Sequence, residues 1–176
     1  TNPFSIATPG PDGPTLMIDQ SASTIARSEV MKHHNEGRPI PEGWALDAQG
    51  HPTTDPAAVL NGGSMAPSGG YKGVGVGLLV ETLAAALTGA SLGVHAAPFS
   101  GTKGGPPRTG QMFLAFDPAA ATAVFTDRMT ALAEAIGSQQ GARLPGRHRL
   151  ALREKALIDG VAVRTATLDR IARFLS

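Results

Sequence analysis

The chain has 176 residues, 41% hydrophobic and 16% charged, which is long enough to bury one core and too apolar for wholesale disorder. Its formal charge of +1, from Lys+Arg 15 against Asp+Glu 14, gives no electrostatic footprint for nucleic acid or an anionic membrane, and no apolar run reaches the roughly 20 residues that span a bilayer. The lack of cysteine removes disulfides, thiolate catalysis and zinc-cysteine sites, and fits a cytoplasmic protein.

The chain opens on Thr1 rather than methionine, which points to truncation or processing upstream. An exposed N-terminal threonine is also the nucleophile of one class of amidohydrolase, with its own amine as base. Pro3, Pro9, Pro11 and Pro14 surround Phe4-Ser5-Ile6-Ala7, a strand candidate, and Leu16-Met17-Ile18 is a second that ends at Asp19. Asp19-Gln20-Ser21-Ala22-Ser23 has two readings. Ser21 or Ser23 caps a helix running through Ile25, Ala26, Val30 and Met31 to Gly37, or the same polar groups hold a ribose or phosphate. Glu29, about one turn into that helix, is either a solvated charge or the partner of a catalytic histidine brought from elsewhere. His33 and His34 are adjacent and point apart on a helix, so they do not share a metal; His51 and His95 lack partners at ligand spacing.

Between Arg38 and Pro67 turn chemistry dominates, with the single Trp44 expected to pin the loop to the core. The run Ser68-Gly69-Gly70-Tyr71-Lys72-Gly73-Val74-Gly75-Val76-Gly77 then leads into a helix-compatible stretch to Leu87, closed by Gly89. Glycines around a lysine before a helix make either a packing device or an anion cradle. Neither standard nucleotide fingerprint fits: Lys72 is followed by Gly73, against the P-loop, and Leu78 and Val80 stand where G-x-G-x-x-G requires glycine. The helix from Val74 to Leu87 is apolar nearly all round, so it is expected at the centre of the fold or in an oligomer interface. Gly93 to Gly110 is a second Gly/Pro-rich loop, followed by Met112-Phe113-Leu114-Ala115-Phe116 as a buried strand. Asp117 and Pro118 open a helix whose apolar positions Ala121, Val124, Phe125, Met129, Leu132 and Ile136 keep a 3.6-residue period. Arg143-Leu144-Pro145-Gly146-Arg147-His148-Arg149 reads as a basic loop, either a solvated turn or an arginine clamp for phosphate. A last helix is expected from Thr165 to Leu175.

Several motifs stand in a fixed order: Thr1-Asn2-Pro3, Asp19-Gln20-Ser21-Ala22-Ser23, Gly43-Trp44-Ala45-Leu46-Asp47, Thr53-Thr54-Asp55-Pro56, Gly69-Gly70-Tyr71-Lys72-Gly73, Gly104-Gly105-Pro106-Pro107-Arg108-Thr109-Gly110-Gln111 and Leu144-Pro145-Gly146. In these the chain resembles the malate/L-lactate dehydrogenase-like family of NAD(P)-dependent oxidoreductases. It looks most like the branch of Δ1-piperideine-2-carboxylate/Δ1-pyrroline-2-carboxylate reductases.

The resemblance implies an α/β, family-specific, non-Rossmann NAD(P)-binding fold. It places most of the cofactor domain in residues 1–140, and the basic cofactor segment and C-terminal helix in 141–176. It implies cofactor contacts from Asp19, Gln20, Ser21, Tyr71, Lys72 and the stretch Arg143, Leu144, Pro145, Gly146, Arg147, His148 and Arg149, and substrate contacts from Thr1, Arg27 and Ser28. Where the family often has Pro-Gly-Glu this chain has Pro145-Gly146-Arg147, which favours a 2′-phosphate and hence NADPH, with NADH possible. Where the reductase branch commonly carries a relay aspartate in His-Gly-Asp, this chain has Arg27-Ser28-Glu29, making Glu29 the carboxylate of the relay. Family members are about twice as long, with the catalytic Ser-His pair and a substrate arginine in the half that precedes Thr1. The expected partners are therefore that N-terminal half as a separate chain and, beyond it, a dimer of complete units. The expected reaction is reduction of a cyclic imine carboxylate to L-pipecolate or L-proline. A 2-oxo acid/2-hydroxy acid dehydrogenase is the alternative within the family, and an N-terminal-threonine amidohydrolase or a non-catalytic binding chain are the alternatives outside it.

Overall fold

The computed structural model describes residues 2–11, 13–97 and 104–174, and the protein divides into two compact units. The first holds Thr1–Ile6 and Asp19–Ala123, the second Ala7–Ile18 and Val124–Ser176. A two-stranded ribbon of β1 (Pro3–Gly10) and β2 (Gly13–Ser21) contributes to both. The prolines of β1 and the head of β2 supply no ladder donors, which suits strands of a narrow ribbon.

The core of the first unit is Val30, Ile40, Ala45 and Val59, with Ile25, Trp44, Leu60 and Met65 packed on it. Val30 comes from α1 (Arg27–Asn35) and Val59 from the short α2 (Pro56–Leu60). Ala45 belongs to β3 (Ala45–Leu46), the middle strand of a small antiparallel sheet with β4 (Pro52–Thr53) and β5 (Ser64–Met65), in register Ala45 to Thr53 and Ala45 to Met65. Regular structure is therefore present where turn chemistry dominates the sequence. The Asp55-Pro56 pair explains α2: Asp55 Oδ1 accepts from the Ala57 N–H at 2.8 Å and Pro56 occupies the first turn. Trp44 packs on the core and meets the His33 ring edge-on, centroids 5.5 Å apart.

The turn between β3 and β4 is organised by Asp47, whose Oδ1 accepts from the Gln49 and His51 N–H groups, both at 2.9 Å. The His51 N–H above all, with the Gln49 N–H, holds the Asp47 carboxyl below the ordinary aspartate range. A depressed folded-state pKa stabilises above the unfolded value near 3.8, and that stabilisation is lost as pH falls through the folded value. Asp47→Asn is therefore expected to melt lower than the wild type at pH 7, with the gap closing on acidification below pH 3.8. Thermal melts of both proteins at pH 7 and in acid check this.

Three expectations for the first unit are corrected. The glycine-loop helix forms as α3 (Tyr71–Glu81) and continues as a π-helical turn, Thr82–Ala86, but only Gly73 and Ala85 along it are buried. Leu78 and Leu79 are 61% and 58% exposed, so the helix does not lie at the centre of this unit, and of the two expectations only the oligomer interface stays open. Met112 to Phe116 is not a strand: it carries no regular secondary structure and joins neither described sheet, and Phe113 and Phe116 are 86% and 82% exposed. Asp117 and Pro118 do cap and open a helical turn, with Asp117 Oδ1 accepting from Ala119 at 3.0 Å, but that turn is 3-10 and stops at Ala120.

In the second unit α4 (Phe125–Gly137) places Phe125, Met129, Ala133 and Ile136 on its half-buried face, as its period requires. A helix absent from the sequence reading, α5 (Arg147–Asp159), follows a left-handed Gly146, and α6 (Thr165–Ala172) follows in turn. Arg147, His148 and Arg149 thus form the first turn of a helix instead of a loop. Among the described residues no helix is long and apolar enough to cross a membrane.

Candidate functional site

The approach to α3 is a sharp glycine turn. Gly69 and Gly70 take φ of 73° and 65°, left-handed values that turn the chain sharply into the helix. Gly73 is buried, and a Cβ there would collide with the Ser68 carbonyl, so the loop folds tightly over the first helical turn. The Gly73 and Val74 N–H groups both return to Gly70 O, at 3.0 and 3.3 Å. The Tyr71 and Lys72 N–H groups then lie ahead of the helical ladder at its positive end, beside the exposed Lys72 ammonium.

The structure joins this loop to the Asp19–Ser23 segment. Ser68 N–H donates to Ala22 O at 2.8 Å, Thr24 N–H donates to Ala66 O at 2.8 Å, and Ser23 pairs with Pro67 as an isolated antiparallel bridge. Asp19, Gln20 and Ser21 therefore form the end of β2 that runs into the strap beside the Lys72 loop. Neither serine caps α1, whose N-cap is Ala26 without a side-chain bond. Instead Ser23 Oγ donates to Ile25 O at 3.1 Å, Ser21 Oγ donates to Ser23 O at 3.3 Å, and the two hydroxyl oxygens lie 2.9 Å apart.

Arg27 and Ser28 begin α1 and are exposed. Glu29 is in the same turn, half-buried, with Lys32 Nζ 3.9 Å from Oε2. That geometry is a solvated helix pair until another group is brought to it. Thr1 and residues 98–103 lie outside the described residues. His33 Nδ1 is 2.7 Å from Pro39 O, a structural bond. Among the described residues no three of His, Asp and Glu gather for a metal.

In the second unit Leu144 is buried, Pro145 O accepts from Met17 N–H at 3.3 Å, and Gly146, at φ 90°, would place a Cβ 2.8 Å from Met17 Cβ. This anchors the Leu-Pro-Gly motif on β2 and starts α5 with Arg147, His148 and Arg149. The first turn of α5 contains no acid and carries Arg147, His148 and Arg149.

The description malate/L-lactate dehydrogenase fits residues 1–172 as a family model. The chain belongs to that family. Its α/β fold is the family's. Over 155 residues it is 46% identical to a (2R)-3-sulfolactate dehydrogenase (NADP(+)) of Chromohalobacter salexigens, covering 88% of this chain and 46% of that one. It is 38% identical over 178 residues to a Δ1-pyrroline-2-carboxylate reductase of Pseudomonas fluorescens, covering 99% and 53%. The crystal structure of a Δ1-piperideine-2-carboxylate reductase from Pseudomonas syringae superposes with a TM-score of 0.75 at 30% identity, over 96% of this chain and 51% of that one. The chain thus spans about half the length of the curated relatives it matches. Asn2 and Glu81 are tied into the same strap and carried no role in the sequence reading. Asn2 was visible only as part of Thr1-Asn2-Pro3, and a single acid in an apolar helix gives no signal until its partners are seen.

Proposed function

We propose that this malate/L-lactate dehydrogenase family chain is the cofactor-holding part of an NADPH-dependent reductase acting on a cyclic imine carboxylate, Δ1-piperideine-2-carboxylate or Δ1-pyrroline-2-carboxylate. The observation that carries this reading is the strap between Ala22 and Ser68, which ties the Asp19–Ser23 segment to the glycine loop that leads into the α3 terminus and Lys72. In it Asp19, Gln20 and Ser21 take the ribose, and Tyr71 and Lys72 take phosphate. The Arg143–Arg149 stretch is assigned a preference for NADPH over NADH on the resemblance and on the chemistry of its arginines alone.

NADPH supplies the hydride that reduces C2 of the substrate. Of this chain's residues, Thr1, Arg27 and Ser28 are assigned to substrate binding, and Glu29 to charge stabilisation of a proton-donating histidine. That histidine belongs to the part of the family fold this chain does not span, provided as an N-terminal half. The exposed apolar face of α3 and the Phe113 and Phe116 side chains support such a completing partner, and the complete units pair as dimers. Residues 1–140 carry most of the cofactor domain and 141–176 the basic segment. The absence of cysteine suits a reducing cytoplasm.

A second reading, a 2-oxo acid/2-hydroxy acid dehydrogenase, is favoured by the 46% identity to a sulfolactate dehydrogenase, against 38% to a pyrroline-2-carboxylate reductase. Steady-state oxidation of NADPH by the intact protein decides between them. The five- and six-membered cyclic imines should show the highest kcat/KM. Preference for the 2-oxo acid corresponding to 3-sulfolactate would transfer the assignment to the second reading.

A further inference from the structure

We infer that Glu81 is a positioning residue for the cofactor segment, fixing Asp19–Ser23 by way of Asn2. The half-buried carboxylate is the last residue of α3, directly before the helix widens into the π turn at Thr82. Its two oxygens serve separate donors: Oε2 accepts from Asn2 Nδ2 at 3.3 Å and Oε1 from the Gly93 N–H at 2.5 Å. Asn2 Nδ2 also donates to Gly77 O at 2.6 Å, one turn earlier on α3. A carbonyl and a carboxylate are both pure acceptors, so both hydrogens of the Asn2 amide are spent and its orientation is fixed.

The backbone of Asn2 completes the link. Asn2 O accepts from the Ala22 N–H at 3.1 Å, and Ala22 O in turn accepts from the Ser68 N–H at 2.8 Å at the head of the glycine loop. Gly77 faces this strap: a Cβ added there would make ordinary contacts, 3.6 Å from Ala22 Cβ and 3.8 Å from Asn2 Nδ2. Glu81 thus holds Asn2, Asn2 holds Ala22, and Ala22 holds both the Ser21 side and the Ser68 side of the candidate phosphate and ribose contacts. A carboxylate is needed because only an acceptor with two equivalent oxygens satisfies Asn2 and Gly93 together. A glutamine satisfies one and presents N–H to the other.

This rests on Asp19–Ser21 and Lys72 being cofactor contacts, and the test separates the two claims. Glu81→Ala, Glu81→Gln, Asn2→Ala and the double variant Asn2→Ala/Glu81→Ala are made in the intact protein. NADPH affinity is measured by titration, and Ala22 N–H exchange by hydrogen exchange. Glu81→Ala should weaken NADPH about tenfold and speed Ala22 exchange, Glu81→Gln should fall between it and the wild type, and the double variant should be no worse than Asn2→Ala alone. Faster Ala22 exchange in Glu81→Ala alongside a wild type that does not bind NADPH would uphold the link and sink the cofactor reading. Unchanged Ala22 exchange in a folded Glu81 variant, or additive losses in the double variant, would overturn the role of Glu81; should Glu81→Ala fail to fold, Glu81→Gln supplies the same readouts.

Discussion

Gly73→Ala is expected to be the most damaging single-atom addition in the first unit, costing about 3 kcal/mol and weakening NADPH about a hundredfold. The added methyl would meet the Ser68 carbonyl oxygen, with Ser68 C at 2.8 Å and Ser68 N at 3.0 Å. All three are backbone atoms, so no rotamer change relieves the clash, and either α3 unwinds its first turn or Ser68 moves away. Ser68 cannot move alone, because its N–H is bonded to Ala22 O at 2.8 Å. The displacement therefore reaches the Asp19–Ser23 segment and the Tyr71 and Lys72 N–H groups together. Thermal melting with an NADPH titration reads both parts, and wild-type values in both would show that the loop does not depend on the close approach.

Gly146→Ala is expected to have an effect of similar size in the second unit, about 3 kcal/mol. A non-glycine residue at φ 90° is strained by about 1–3 kcal/mol. In addition the Cβ would stand 2.8 Å from Met17 Cβ and 2.9 Å from Met17 O. Relief requires the Leu144-Pro145-Gly146 turn to lift from β2, which breaks the 3.3 Å bond from Met17 N–H to Pro145 O and releases the buried Leu144. The expected observations are faster Met17 N–H exchange and loss of discrimination between NADPH and NADH, because Arg147, His148 and Arg149 follow directly in the first turn of α5. A variant that melts and discriminates like the wild type would remove the Leu-Pro-Gly turn from the structural core of this unit.

What the sequence made legible and what it concealed have separate physical causes. β1, β2 and α4 were readable because proline placement and a 3.6-residue apolar period are local properties. The Asp55-Pro56 pair was visible as a motif, and its geometry explains why a turn-rich stretch holds a helix. The burial of α3 and of Met112–Phe116 was not readable, since burial is decided by what lies opposite, and among the described residues little does. The expectation of a buried helix followed from its all-round apolar character, which remains a property of the helix. Ser21 and Ser23 were read as caps because hydroxyls before a helix usually cap it, but here they bond to each other and to Ile25 O, and α1 begins later, at Arg27. Arg147–Asp159 was missed because Pro145-Gly146 looks like the centre of a turn. In the fold Gly146 is the left-handed entry to a helix.

Motif order placed the candidate cofactor residues without any geometry. The structure added the strap that joins Ser21 to the Lys72 loop, and the two groups behind it, Asn2 and Glu81.

Calorimetric titration of NADPH into the intact protein, beside its Lys72→Met variant, tests the central claim most directly. Saturable binding by the wild type, at least tenfold weaker in Lys72→Met and less dependent on salt there, is the expected result. A wild type that takes up no NADPH, or a Lys72→Met variant that binds it unchanged, would contradict the assignment of the glycine loop and the Asp19–Ser23 strap as a cofactor site.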